Sequence, residues 1–230
     1  MRSISAWVAG LALALMVAGI AILPLTSPAF TRTLSARYSL AEEAGLPPER
    51  MLEVAEQVRA FVVESDADTL PVTVDGRDGF DASASSHLID VRVVISRARL
   101  FTGVLTLLVT AWIVVMFRRK RIDAIAPALQ AGAIVTLALI VLAAIAAVSD
   151  FDIFFAAFHG LFFATGTWTF AYDSLLIQTF PEPFWITSGA AWAVVMGLGA
   201  GLLAWLARLL KTSENSEPEP HSDSSQIGKA

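Results

Sequence analysis

Apolar residues gather in four runs, Ala6–Leu23, Leu100–Phe117, Ile125–Val148 and Trp185–Leu206, and none of the runs contains a charge. Each is close to the ~20 residues a helix needs to cross roughly 30 Å of hydrocarbon. The pattern therefore predicts an α-helical integral membrane protein with four transmembrane helices, one membrane domain spanning residues 1–211.

The polar stretches between the runs have their own grain. In the connection 26–97, Pro47-Pro48-Glu49 suits the first turn of a helix, and Met51, Val54, Ala55, Val58, Phe61 and Val62 follow as an apolar stripe at helical spacing. Thr69–Val74 alternates weakly as a short strand, and Asp75-Gly76-Arg77-Asp78-Gly79 is turn chemistry. A small extracytoplasmic α+β cap is expected, packed on the end of the bundle because ~70 residues are marginal as a free domain. Ser85–Leu100 reads as a helix running straight into the second span. A second outer loop, 149–184, is rich in aromatic residues and broken by Gly160, Gly166, Pro181 and Pro183, so it is expected to lie in or dip into the interface. The Ser/Glu/Pro-rich stretch 212–230 is read as a disordered cytoplasmic tail.

Charge orients this arrangement. Arg118, Arg119, Lys120 and Arg121 fill the short link between the second and third spans and should stay in the cytoplasm. Arg2, Arg208 and Lys211 place both termini on the same side, as four spans require. The two long connections then face outward, and both are acidic: seven Arg against twelve Asp and Glu in 26–97, four acids and no Lys or Arg in 149–184. The first run lacks an Ala-x-Ala cleavage pattern and is read as an uncleaved helix. Hydrophobic residues make up 56% of the chain, which excludes an ordinary soluble domain, and zero cysteines exclude a disulfide framework, a thiolate nucleophile and a cysteine metal site.

Candidate chemistry sits on the outward side. His87 and Asp90 are three apart on the helix before the second span, where a carboxylate can orient an imidazole as a base; the alternative is a surface histidine with an ion-pair neighbour. Arg92, Arg97 and Arg99 read as snorkelling residues at the helix end. Trp168, Tyr172 and Trp185 are of the type that forms interfacial belts, whereas His159 and Asp173 are polar groups in an apolar stretch and mark either a function or a specific structural partner. His221, in the polar tail, is a bystander.

Two stretches carry a resemblance. His87-Leu88-Ile89-Asp90-Val91-Arg92 resembles the His-hydrophobic-x-Asp-Val-Lys/Arg signature of the bacterial lipoprotein intramolecular transacylase family. Phe158-His159-Gly160-Leu161-Phe162-Phe163, with Trp168, Phe170, Asp173, Leu176, Ile177, Phe180 and Pro181, resembles that family's second stretch. The run Ala82–Ser86 is small and neutral where the family often has an acid. The resemblance implies transfer of the sn-2 acyl chain of a lipoprotein's diacylglyceryl-cysteine to its N-terminal amine, giving a lyso-form lipoprotein. It implies His159 as base, His87 as donor, and Asp90, Trp168, Tyr172 and Asp173 as orienting or substrate-binding residues. The implied pocket opens sideways to lipid and is lined by Phe155, Phe162, Phe163 and Trp168. The implied partners are the lipid-modified cysteine and membrane lipid, with no cofactor, metal or nucleic acid, in a bacterial cell membrane. Three other readings stay open: a hydrolase or acyltransferase of free phospholipid, a non-enzymatic scaffold, and a metal site built on the two histidines with Asp90 or Asp173.

Overall fold

The computed structural model of the protein describes residues 4–64, 70 and 73–214, with no side-chain account for 77, 78, 213 and 214. Four helices are long and apolar enough to cross a membrane: α1 (Ile4–Ile20, continued by a 3-10 turn at Pro24–Thr26), α4 (Ala82–Arg118), α5 (Ile125–Ser149) and α8 (Glu182–Glu214). All four expected runs lie on them. Thr212–Glu214 completes α8, and the remainder of the expected tail, His221 included, falls outside the described residues.

Small residues let the spans approach. α1 packs chiefly on α5 and α5 on α8, while α4 flanks α1. At the α1–α5 crossing a Cβ on Gly10 would stand 2.6 Å from Ala131 Cβ, and where α1 meets α4 a Cβ on Gly19 would strike Thr102 Oγ1. Backbone contact of this kind holds helices together in lipid, where apolar side chains gain little by leaving the bilayer. Leu13, Val109, Ile125, Ala128, Leu129 and Leu203 fill the centre of the bundle, and Leu107, Leu142, Val148 and Leu198 are exposed on the surface that meets lipid. α4 ends in a Schellman motif, with Arg121 N–H bonded to Met116 O, Lys120 N–H to Phe117 O, and Lys120 at φ 55°.

The cap is mostly helical. α2 (Pro28–Tyr38) starts on Ser27, whose side chain accepts from Phe30 N–H ahead of Pro28; this start signal lies in a stretch too weakly amphipathic to announce a helix by periodicity. α3 (Pro48–Val63) begins at the double proline and buries Met51, Val54, Ala55, Val58 and Phe61, as its stripe predicts. The β component is a hairpin of two residues per strand, β1 (Thr73–Val74) and β2 (Arg77–Asp78), paired antiparallel around the Asp75-Gly76 turn. Thr69 lies outside the described residues.

Two features of the cap differ from the sequence-based expectation. Arg92 and Arg99 do not simply snorkel: Arg92 donates to Phe61 O and covers the Phe61 ring at 3.9 Å, and Arg99 donates to Val63 O at 2.7 Å. Both supply donors to carbonyls at the C-terminus of α3, groups the helix itself leaves without partners. Arg97 is exposed, as a snorkelling residue would be. The second connection, moreover, does not stay in the interface. Its part α7 (Leu175–Thr179) enters the cap core, where Leu175, Leu176, Phe180 and Phe184 pack with Leu34, Met51, Val54 and Phe80. Leu40 N–H bonds to Gln178 O at 2.8 Å, so both connections build one cap.

Candidate active site

Asp81 caps the start of α4 by accepting from Ala84 N–H at 2.7 Å, which fixes the helix phase and turns His87 inward. At 37 residues α4 is roughly 55 Å long, well beyond the hydrocarbon thickness. Its first half, with His87, Asp90 and three arginines, therefore extends past the membrane. On the other side, α5 stops at Ser149, and Asp150 accepts from Ile153 N–H at 2.9 Å to start α6 (Phe151–Gly160). That helix is ten residues long, too short to cross, and carries His159 in its last turn.

The two elements meet at the histidines. Their ring centroids are 6.3 Å apart with 27° between planes. Phe163 and Phe170 lie 4.9 and 5.5 Å from the His87 ring; Phe155 and Trp168 lie 4.0 and 4.7 Å from the His159 ring. His87 is 8% exposed, and its Nδ1 is buried without a hydrogen-bond partner. His159 is half-buried and its Nδ1 lies 2.9 Å from Phe155 O. A carbonyl only accepts, so Nδ1 carries the proton and Nε2 keeps its lone pair.

Electrostatics keep the pair neutral. Burial holds the His87 pKa below the usual histidine value, the nearby His159 lowers it further, and Asp90 opposes both. Burial also lowers the His159 pKa, against the raising effect of the Phe155 carbonyl. A ring with a depressed pKa and an available lone pair suits proton transfer near neutral pH.

Not every expected site residue arrives here. Asp90 is exposed, and no hydrogen bond or ion pair joins it to His87 among the described residues; it acts on the ring through its charge alone. Spacing by three put the two on neighbouring helix positions, but the inward turn of His87 leaves the carboxylate in solvent. Tyr172 is 73% exposed with no ring contact to either histidine among the described residues, and Asp173 beside it is exposed. Phe155, Phe163 and Trp168 line the pocket, whereas Phe162 is exposed and meets Phe158 edge-on and Phe163 at a tilt. The pocket also takes Phe170 and the carbonyl of Phe155. Phe170 had a signal in its place within the aromatic stretch that carries the resemblance, while a backbone carbonyl has none in sequence.

Among the described residues no group of three His, Asp or Glu side chains is placed to hold a metal ion. A cavity of about 580 Å³ lies between α1 and α4, away from the histidines, and is lined by Ile4, Ser5, Val8, Leu105, Leu108 and Trp112. Its lining on α4 lies roughly 27 to 37 Å along that helix from His87, and Ser5 is its one polar side chain.

Fold and pocket together define a multi-pass membrane protein with a helical cap and a paired-histidine pocket where cap and bundle join. The family model for lipoprotein intramolecular transacylase Lit matches residues 6–185. The chain therefore belongs to that family. The solved lipoprotein intramolecular transacylase Lit of Bacillus cereus superposes with a TM-score of 0.80 at 15% identity, over 94% of this chain and 99% of that one. Two histidine-substituted forms of the same Bacillus cereus protein, one to arginine and one to alanine, give TM-scores of 0.67 and 0.68 at 14% identity, over 94% of this chain and 94% and 96% of theirs. At such identities the likeness is one of fold. No curated protein matches the sequence.

Proposed function

We propose that this protein is a lipoprotein intramolecular transacylase and that His87 and His159 carry the chemistry, on the extracytoplasmic side of the membrane. Family membership supports the reaction class, and the two rings 6.3 Å apart in one aromatic pocket support the site. The basic link 118–121 supports the orientation, with both termini in the cytoplasm and the cap outside.

The substrate's neutral amine attacks the sn-2 ester carbonyl, forming a C–N bond while the carbonyl π pair moves onto oxygen. His159 Nε2 takes the proton the nitrogen now sheds. The tetrahedral centre then collapses: the C–O bond to glycerol breaks, His87 protonates the departing oxygen, and His87 recovers its proton from His159. Amide and free hydroxyl result, and both rings return to neutral. Because amine and ester belong to one molecule, no enzyme nucleophile is needed, and positioning supplies much of the acceleration. Exposed apolar residues of α6, Ile153 and Phe158, and of the turn that follows it, Leu161 and Phe162, support entry of the acyl chains from lipid.

The test is mass spectrometry of lipoprotein N-termini in membranes with and without this chain. Lyso-form termini appear with the wild type, and fall by ~10²–10⁴ per folded molecule with His159→Ala or His87→Ala. Wild-type turnover in both variants, or loss only in step with protein level, overturns the assignment in favour of a scaffold. Release of free fatty acid instead of an N-acylated cysteine points to a lipid hydrolase.

A further inference from the structure

The pocket holds a second buried polar atom with no hydrogen-bond partner besides His87 Nδ1, namely the indole Nε1 of Trp168. An indole nitrogen donates and cannot accept, so this group lacks one thing only, an acceptor. Other tryptophans of the chain have found theirs: Trp185 Nε1 donates to Phe180 O at 2.9 Å and Trp192 Nε1 to Ala18 O at 3.1 Å. A belt tryptophan would turn its N–H toward headgroups and water. Trp168 instead withholds it from solvent, with its ring 4.7 Å from His159.

The backbone delivers this side chain deliberately. Thr167 bonds to Ala164 O twice, through its N–H at 3.2 Å and its hydroxyl at 2.9 Å, and Gly166 supplies the left-handed φ of 85° that the turn requires. Beyond that turn Trp168 and Phe170 are partly buried while Thr169 between them is exposed. Phe170 meets the His87 ring and Trp168 meets the His159 ring. A buried donor without a partner, in an aromatic pocket beside His159, is what a developing oxyanion needs, since a dipole already in place requires no reorganisation during the reaction.

We infer that Trp168 is a catalytic residue: its indole N–H binds the carbonyl oxygen of the transferring acyl ester and stabilises the oxyanion formed when the amine attacks. This rests on the acyl-transfer reading above. The indole gives up no proton. It holds the electron pair on oxygen while the C–N bond forms, and the pair returns to the carbonyl as the C–O bond to glycerol breaks.

The experiment uses the full-length protein in detergent micelles with a diacylglyceryl-cysteine lipopeptide. At position 168 a benzothienylalanine, with sulfur in place of N–H and nearly the same shape, is compared with Trp168→Phe. The expected result is a kcat lower by ~10²–10³ in both, with KM, melting temperature and the pH profile close to wild type. A benzothienyl protein with wild-type kcat overturns the inference while leaving the acyl-transfer reading intact, and so does a change in KM or melting temperature alone. Wild-type protein that forms no lyso-lipopeptide overturns both.

Discussion

The two imidazoles are held neutral by burial rather than tuned by a carboxylate. Desolvation is the leading cause of the lowered pKa of each, and their mutual repulsion keeps a second proton off the pair once one has been taken up. The hydrogen bond from His159 Nδ1 to Phe155 O selects the tautomer, a role often given to an acid. A pH dependence follows with a definite sign. In the unfolded chain each ring binds a proton near the usual 6.5, and in the folded protein it does so only at lower pH. As pH falls below 6.5 the unfolded state takes up protons first, so stability drops with acid; above that pH the contribution is fully present. Activity should show an acid limb with its midpoint below 6.5, as Nε2 of His159 becomes occupied. A kcat–pH curve with denaturant melts at each pH checks both, and an acid limb above 6.5 contradicts the neutral-pair account.

Helix length and close approach settle what each element does. α6 spans only about 15 Å and cannot cross, so it brings His159 to the pocket as an interfacial segment, while α4 exceeds the bilayer and carries His87 beyond it. The α1–α5 crossing depends on absent side chains. On Gly10 a Cβ would lie 2.6 Å from Ala131 Cβ and 2.8 Å from the Gly132 nitrogen, and backbone cannot step aside as a flexible side chain can. Gly10→Ala should therefore destabilise by ~1–3 kcal/mol, the range for overpacking. Gly103→Ala, where nothing lies within 4 Å, serves as the control and should melt like wild type. Thermal unfolding in one detergent measures both. Equal melting temperatures would show that α1 and α5 do not cross this closely.

At the scale of the whole molecule the cap is a joint product of two connections far apart in the chain. Leu175, 1% exposed, fills the core between α3 and the start of α4, and Thr179 donates to Leu175 O at 2.6 Å and reaches Met51 Sδ at 3.5 Å. Leu175→Ala should cost ~2–5 kcal/mol, the range for truncating a buried leucine. Its signature is opposite to that of the histidines: lyso-lipoprotein formation falls in step with folded protein, and kcat per folded molecule stays within a few fold. A normal melting temperature with a low kcat would move Leu175 from the cap's support into the reaction.

Hydropathy alone determined the four spans, because hydrocarbon tolerates no charge and no unpaired backbone, and uncharged runs of about 20 residues have the length a helix needs to cross it. The stripe of α3 and its double-proline start were legible for the same local reasons, and the motifs around His87 and His159 pointed to the family. Tertiary structure decided the rest. The inward rotation of α4 took His87 into the pocket and left Asp90 in solvent, a difference that spacing along one helix does not encode. Docking of α7 into the cap drew a loop expected at the interface into the core, since Leu175 and Leu176 find burial against α3 that their own segment does not offer. The carbonyl of Phe155 and the unpartnered N–H of Trp168 acquired meaning only when α6 and the turn after it closed around the histidines, because hydrogen-bond satisfaction is a property of neighbours in space.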